Sequence, residues 1–196
     1  MKNILKIKRN RGMTYVELIV VLGIFAVMST IVMFNYGAFQ DKIDVKNLAS
    51  QIALKIVEAQ KSAVNGKLSN DFIFSLGKPS YGVYFNIGQN TQFQYFANKD
   101  NDGNTINSTL LDTITISKGS ISHIFNCTGL ETDRLCVGGD VLTTFITFTR
   151  PDTSANFTFY ERTPLLVNDH LQIEVTSLRG SKAYINVYPS GRIKIN

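Results

Sequence analysis

Hydrophobic positions fall in three successive patterns along this chain. From Leu18 to Gln40 (LIVVLGIFAVMSTIVMFNYGAFQ) there is no charged residue. These 23 positions rise about 35 Å as a helix, enough for the roughly 30 Å hydrocarbon core of a bilayer. A soluble core helix is rarely apolar all round over such a length. Beyond Gln40 the pattern becomes amphipathic. Val45, Leu48, Ile52, Ile56, Ala59 and Ala63 recur at the spacing of one buried helix face, while Lys42, Lys46, Lys55, Glu58 and Lys61 take other positions. Asn65-Gly66 supplies a C-terminal stop, and Gly37 is a weak point where the helix could bend.

From residue 71 the period shifts to two, with aromatic and β-branched enrichment. Strands are predicted at 71–76, 81–87, 92–97, 110–117, 121–126, 143–149, 156–161, 171–176, 183–188 and 192–195. Turn signals such as Gly77-Lys78-Pro79, Lys118-Gly119 and Pro151-Asp152 separate them. A long helix followed by antiparallel strands is an α+β chain. The expected divisions are a leader at 1–12, an apolar helical half at 13–40, an amphipathic half at 41–66, and a β-rich domain at 67–196.

Charge sharpens the picture at the N-terminus. The formal net charge is +5. Residues 1–12 contain Lys2, Lys6, Lys8, Arg9 and Arg11 and no acid, leaving 15 basic residues against 15 acidic ones in the remainder. The excess therefore belongs to the leader and does not argue for nucleic-acid binding by the folded part. Five cations before an apolar span hold the leader in the cytoplasm and send the C-terminal remainder to the other side. A cleaved secretory signal is a poor match, since the apolar stretch is too long and no A-x-A pattern closes it. A plain signal anchor explains length and orientation but not Glu17, an acid at the cytoplasmic entrance of the span, where an unpaired carboxylate is costly.

Residues 9–26 read RNRGMTYVELIVVLGIFA. This segment resembles the class III leader of type IV pilins and pseudopilins: a short basic leader ending in Gly, a hydrophobic residue, Thr, Glu as the fifth residue after the cut, then a long apolar helix. The resemblance implies a pilin-like fold, with the long helix packed on an antiparallel β-sheet domain. It implies cleavage by a prepilin peptidase between Gly12 and Met13, N-methylation of Met13, and an assembly role for Glu17. In the family this Glu is thought to neutralise the terminal amine of a neighbouring subunit, and a matched pair in low dielectric is far stronger than in water. Met13 stands where the family usually has Phe, and the helix-bending Pro common in major pilins near Phe34 is missing. The many short strands and the ending Ser190-Gly191-Arg192-Ile193-Lys194-Ile195 look like the GspH/FimT group of minor pseudopilins.

Three further groups are candidate sites. Cys127 and Cys136 bracket a short polar stretch in a domain expected outside the cytoplasm, which suggests a disulfide, with two free thiols as the alternative. Arg179, Lys182, Arg192 and Lys194, interleaved with Tyr184 and Tyr188, form a basic stretch free of acids that could contact DNA. On a strand Arg192 and Lys194 share one face, with Ile193 and Ile195 toward the core. In the FimT group a closing Gly-Arg-x-Arg motif is associated with DNA capture; here Lys194 replaces its final Arg, and an ordinary solvated strand face is the plainer reading. Asp100, Asp102 and Asn104 alternate oxygen ligands as calcium loops do. Gly103 falls too early for an EF-hand and no bidentate Glu is placed downstream, so a polar turn accounts for them.

No nucleophile elbow, metal-spaced ligand set or phosphate loop occurs, so neither an enzyme nor a cofactor is expected. The expected function is a minor pilin-like subunit of a type IV pilus or type II secretion pseudopilus. It would be a single-pass inner-membrane protein before it enters a fibre. Its expected partners are other pilins, the prepilin peptidase, the inner-membrane assembly platform and membrane lipid. The alternatives are a DNA-binding minor pilin and a signal-anchored exported β domain that never polymerises.

Overall fold

The computed structural model describes residues 12–65, 79–98, 108–128, 135–137, 142–160 and 169–196. Two compact units meet between Gln40 and Asp41. One helix, α1 (Tyr15–Asn65), runs unbroken through Gly37 and ends at the expected Asn65.

In the first unit the large apolar side chains described from Met13 to Phe39 are between 46% and 81% exposed. This stretch is long and apolar enough to cross a membrane, and none of its most hydrophobic window is buried.

The second unit joins the rest of α1 to ten described strands: β1 (Ser80–Asn86), β2 (Gln92–Asn98), β3 (Ser108–Thr115), β4 (Ser120–Thr128), β5 (Leu135–Val137), β6 (Thr143–Phe148), β7 (Ala155–Tyr160), β8 (His170–Thr176), β9 (Lys182–Val187) and β10 (Ile193–Ile195). They form two five-stranded sheets, ordered β3-β2-β1-β6-β7 and β10-β9-β8-β4-β5, with every neighbouring pair antiparallel. The chain is α+β. The strand expected at 71–76 lies outside the described residues. β5 has only three residues and no period-two run, so local patterning does not announce it; it is recruited by pairing with β4.

Both sheets and the helix share one core. The expected helix face (Val45, Leu48, Ile52, Ile56, Ala59, Ala63) is buried, together with Ala49 and Ala53. Against it pack Tyr81, Val83 and Phe85 of β1, Phe93 and Tyr95 of β2, and Ile146 and Phe148 of β6. The second sheet adds Ile121 and Ile124 of β4, Leu171, Ile173 and Val175 of β8, and Ile185 and Val187 of β9. In β1, β2, β6, β8 and β9 the residues facing this core alternate because the side-chain period of a strand is two, while in β4 a register shift sets Ile121 and Ile124 three apart. Full burial of one such aliphatic side chain contributes roughly 1.5–3 kcal/mol.

The C-terminus is fastened to this core by a close backbone contact. Gln60 Nε2 donates to Thr153 O at 3.0 Å and to Gly191 O at 3.1 Å. Gly191 has φ +80°, and a Cβ placed there would lie 2.0 Å from Thr153 O and 2.4 Å from Gln60 Nε2. Only glycine fits, so Gly191 of the closing Gly-Arg pair has a packing reason. β10 departs from the expected facing in one respect. Ile193 packs against the core, but Ile195, at the end of an edge strand, is 40% exposed.

Candidate functional site

The N-terminal residues singled out by the sequence lie at the start of α1. Gly12, Met13 and Thr14 precede the helix and are exposed. Among the described residues, a Cβ at Gly12 would meet nothing within 4 Å. Thr14 caps the helix: its Oγ1 accepts from the N–H of Glu17 at 3.3 Å, and its carbonyl oxygen accepts from the N–H of Leu18 at 3.1 Å. A Thr followed three residues later by Glu is the capping-box pattern. This role of Thr14 is legible in the spacing T-Y-V-E, although the leader motif assigns the residue no such task. Glu17 also falls in the first turn, where the helix macrodipole favours an anion. The cap bond uses its backbone N–H, and the residue is exposed.

Cys127 and Cys136 face each other across β4 and β5, with Cα atoms 4.0 Å apart, and are joined by a disulfide. It ties the short strand β5 to β4. A loop of nine residues' separation corresponds to roughly 2–3 kcal/mol in the chain-entropy account of cross-links.

The basic stretch does not form one patch. Arg179 lies in the turn between β8 and β9, and Lys182 opens β9 at the same end. Arg192 stacks on Tyr188 beyond the other end of β9, its guanidinium carbon 4.1 Å from the ring centroid. Tyr188 lies six residue steps beyond Lys182 along the strand direction, about 20 Å. Lys194 lies opposite Asn186 in the β9–β10 ladder. Lys182 Nζ is 2.9 Å from Oε1 of Glu174, whose side chain is only 6% exposed. That hydrogen bond, with the carboxylate's charge, raises the Lys182 pKa. His123 Nδ1 approaches the same oxygen at 3.5 Å. An acid from β8 thus offsets one of the four cations, a pairing invisible in the 176–196 segment.

Asp100, Asp102 and Asn104 lie outside the described residues. Among the described residues no group of three or more His, Cys, Asp or Glu side chains could hold a metal ion. An open groove of about 540 Å³ runs along α1, lined by Leu54, Val57, Glu58, Lys61, Ser62 and Asn65. Leu54 is 67% exposed there, and Val64 of the same helical half is exposed as well.

Two acids not foreseen as functional organise the start of the second unit. Asp41 accepts a hydrogen bond from Ser177 Oγ at 2.7 Å, and Asp44 Oδ1 is 3.3 Å from Lys118 Nζ. Each fastens one loop to the first turns of the helix beyond Gln40. Their partners are 136 and 74 residues away, so no local signal marks them.

Comparison with protein-family models, curated proteins and solved structures gives no match to this chain.

Proposed function

We propose that this chain is a minor pilin-like subunit of a type IV pilus or type II secretion pseudopilus, related to the GspH/FimT group. It is cut after Gly12, methylated at Met13, held in the inner membrane by residues 13–40 with its β-rich part outside the cytoplasm, and then assembled into a fibre. The observation that supports this most is the junction of two features: a helical stretch whose described large apolar side chains are exposed, and, directly before it, a basic segment ending R-G-M-T-Y-V-E. Cleavage at Gly12 removes all five leader cations yet leaves the span intact. The product therefore stays in the bilayer with a new ammonium group one helical turn before Glu17.

Glu17 then has two compatible roles. Its backbone completes the Thr14 cap, and its exposed carboxylate is available to the terminal amine of a neighbouring subunit. The apolar groove beside Leu54 offers surface for helix-to-helix contact. The DNA-binding alternative is the weaker one, because Glu174 offsets Lys182 and the remaining cations are spread along β9 and β10. About three phosphate contacts give a log–log salt slope of only about −3.

The deciding experiment is the intact mass and N-terminal sequence of protein extracted from membranes. The expected chain begins at a methylated Met13. A chain beginning at Met1 overturns the reading and leaves a signal-anchored exported domain.

A further inference from the structure

The second unit begins with the residue directly after the uncharged run, and that residue holds a distant turn. Asp41 is buried at 7% exposure. Its carboxylate is held below the ordinary range by hydrogen bonds, first from the Ser181 side chain, then from Ser177 and from the backbone at Arg179 and Ser181; burial works in the opposite direction. The turn is itself closed. Ser181 N–H donates to Ser177 Oγ at 3.0 Å, Ser177 N–H to Ser181 O at 2.8 Å, and Gly180 N–H to Ser177 O at 3.1 Å, with Gly180 at φ +92°. The loop carrying Lys118 lies against it. A Cβ on Gly119 would be 2.6 Å from Thr176 O, 3.1 Å from Leu48 Cδ2 and 3.4 Å from Ser177 Cα. Asp44 fixes that loop through Lys118.

Outward, this paired-loop end presents Leu178, 80% exposed, with exposed Arg179, Lys118 and, from the helix, Lys42. A single exposed leucine needs no explanation. This one is exceptional in its address, one side-chain hydrogen bond from the residue after Gln40. An apolar run of about 35 Å exceeds the roughly 30 Å hydrocarbon core, so Asp41 falls in the headgroup layer and the turn it holds is brought there with it. Asp41 is turned inward onto hydroxyl and amide donors, and Lys118 offsets Asp44. Exposed Arg179 and Lys42 are cations at this end whose side chains those contacts do not use.

We propose that the β8–β9 turn is a membrane-surface foot: Leu178 enters the interfacial layer while Arg179 and Lys42 contact the phosphates of anionic lipid headgroups. This rests on the reading that residues 18–40 span a bilayer, and it adds a second, lipid-specific contact by the β domain before assembly. Attraction of a cation to an anionic leaflet strengthens such a contact about fivefold per residue.

The chain contains no tryptophan, so Leu178→Trp and, separately, Val27→Trp each give the full-length protein a single tryptophan, excited selectively at the red edge beyond tyrosine absorption. Both are reconstituted in phosphatidylglycerol-rich and in phosphatidylcholine vesicles containing brominated lipids. Val27→Trp is expected to be quenched in both. Leu178→Trp is expected to be blue-shifted and quenched by shallowly brominated lipid in the anionic vesicles, with the docked fraction relative to undocked falling about fivefold on adding Arg179→Gln. Solvent-like emission from Leu178→Trp alongside quenched Val27→Trp overturns the foot and leaves the span standing. Equal quenching of Leu178→Trp in both lipids overturns the headgroup recognition. Solvent-like emission from both variants overturns the span and the foot together.

Discussion

The two halves of α1 have apolar residues in abundance and opposite fates. In the amphipathic half, Ile52 and Ile56 are fully buried against two sheets. In the apolar half, Ile24 is 57% exposed and Val27 63%. The difference lies in what each half can bury against. The amphipathic half confines its hydrophobic positions to a stripe, and the strands of the same chain cover that stripe. The apolar half is hydrophobic all round, so a single sheet face could cover only part of it. Its remaining surface calls for a medium rather than a partner element, which a bilayer would provide.

Substitutions put this contrast to the test. The largest effect is expected from Ile56→Ala, a loss of about 2–5 kcal/mol in denaturant unfolding, since a fully buried side chain leaves a cavity. Ile24→Ala should change the unfolding of the β domain by no more than about 0.5 kcal/mol, because it removes an exposed group; a loss comparable to that of Ile56→Ala would mean the apolar half packs on the protein itself. Val27→Lys should disfavour membrane insertion by about 3 kcal/mol, measured as a drop in the carbonate-resistant fraction, with the β domain still folded. Replacing both Cys127 and Cys136 by Ser should cost about 2–3 kcal/mol of β-domain stability, read by thermal unfolding. Thr14→Ala should cost the helix start about 1 kcal/mol, read as faster amide exchange at residues 15–18 and not in the β domain.

The smallest expected effect depends on pH. Asp41 has a folded pKa below its ordinary value of 3.8. Its stabilising contribution is therefore fully present above about pH 4 and is lost as pH falls through the lower folded value. Asp41→Asn should flatten the acid side of the stability profile. Acid unfolding of this variant identical to that of the parent would show that the turn at Ser177–Ser181 is not held through the carboxylate.

Much of the architecture is readable in the chain because it is written in periodicity. The helix face from Val45 to Ala63 follows from +3 and +4 spacing, and most strands follow from alternation. β5 escapes that reading because Leu135-Cys136-Val137 lacks the apolar–polar alternation that marks the equally short Ile193-Lys194-Ile195. The candidate sites divide in the same way. Gly12, Met13 and Glu17 form a contiguous motif, and Thr14 is recoverable from its spacing to Glu17. The pairing of Lys182 with Glu174 is out of reach, since the acid sits on a neighbouring strand outside the basic segment. The basic stretch looks concentrated in sequence and is dispersed in space because a strand carries its two ends about 20 Å apart.

Residue order alone establishes that an uncharged helical stretch long enough for a bilayer comes after a cationic N-terminal segment, and that an amphipathic helix and a β-rich domain come next. Those are properties of neighbouring residues, and composition and period express them directly. It took long-range packing to settle that the strands divide into two sheets, that Gly191 must be glycine because Gln60 and Thr153 close on it, and that Asp41 and Asp44 hold loops beside the end of the apolar run. Each of these is a contact between residues far apart in the chain. Its strength depends on distance and exclusion of water, and neither quantity is encoded in any local pattern.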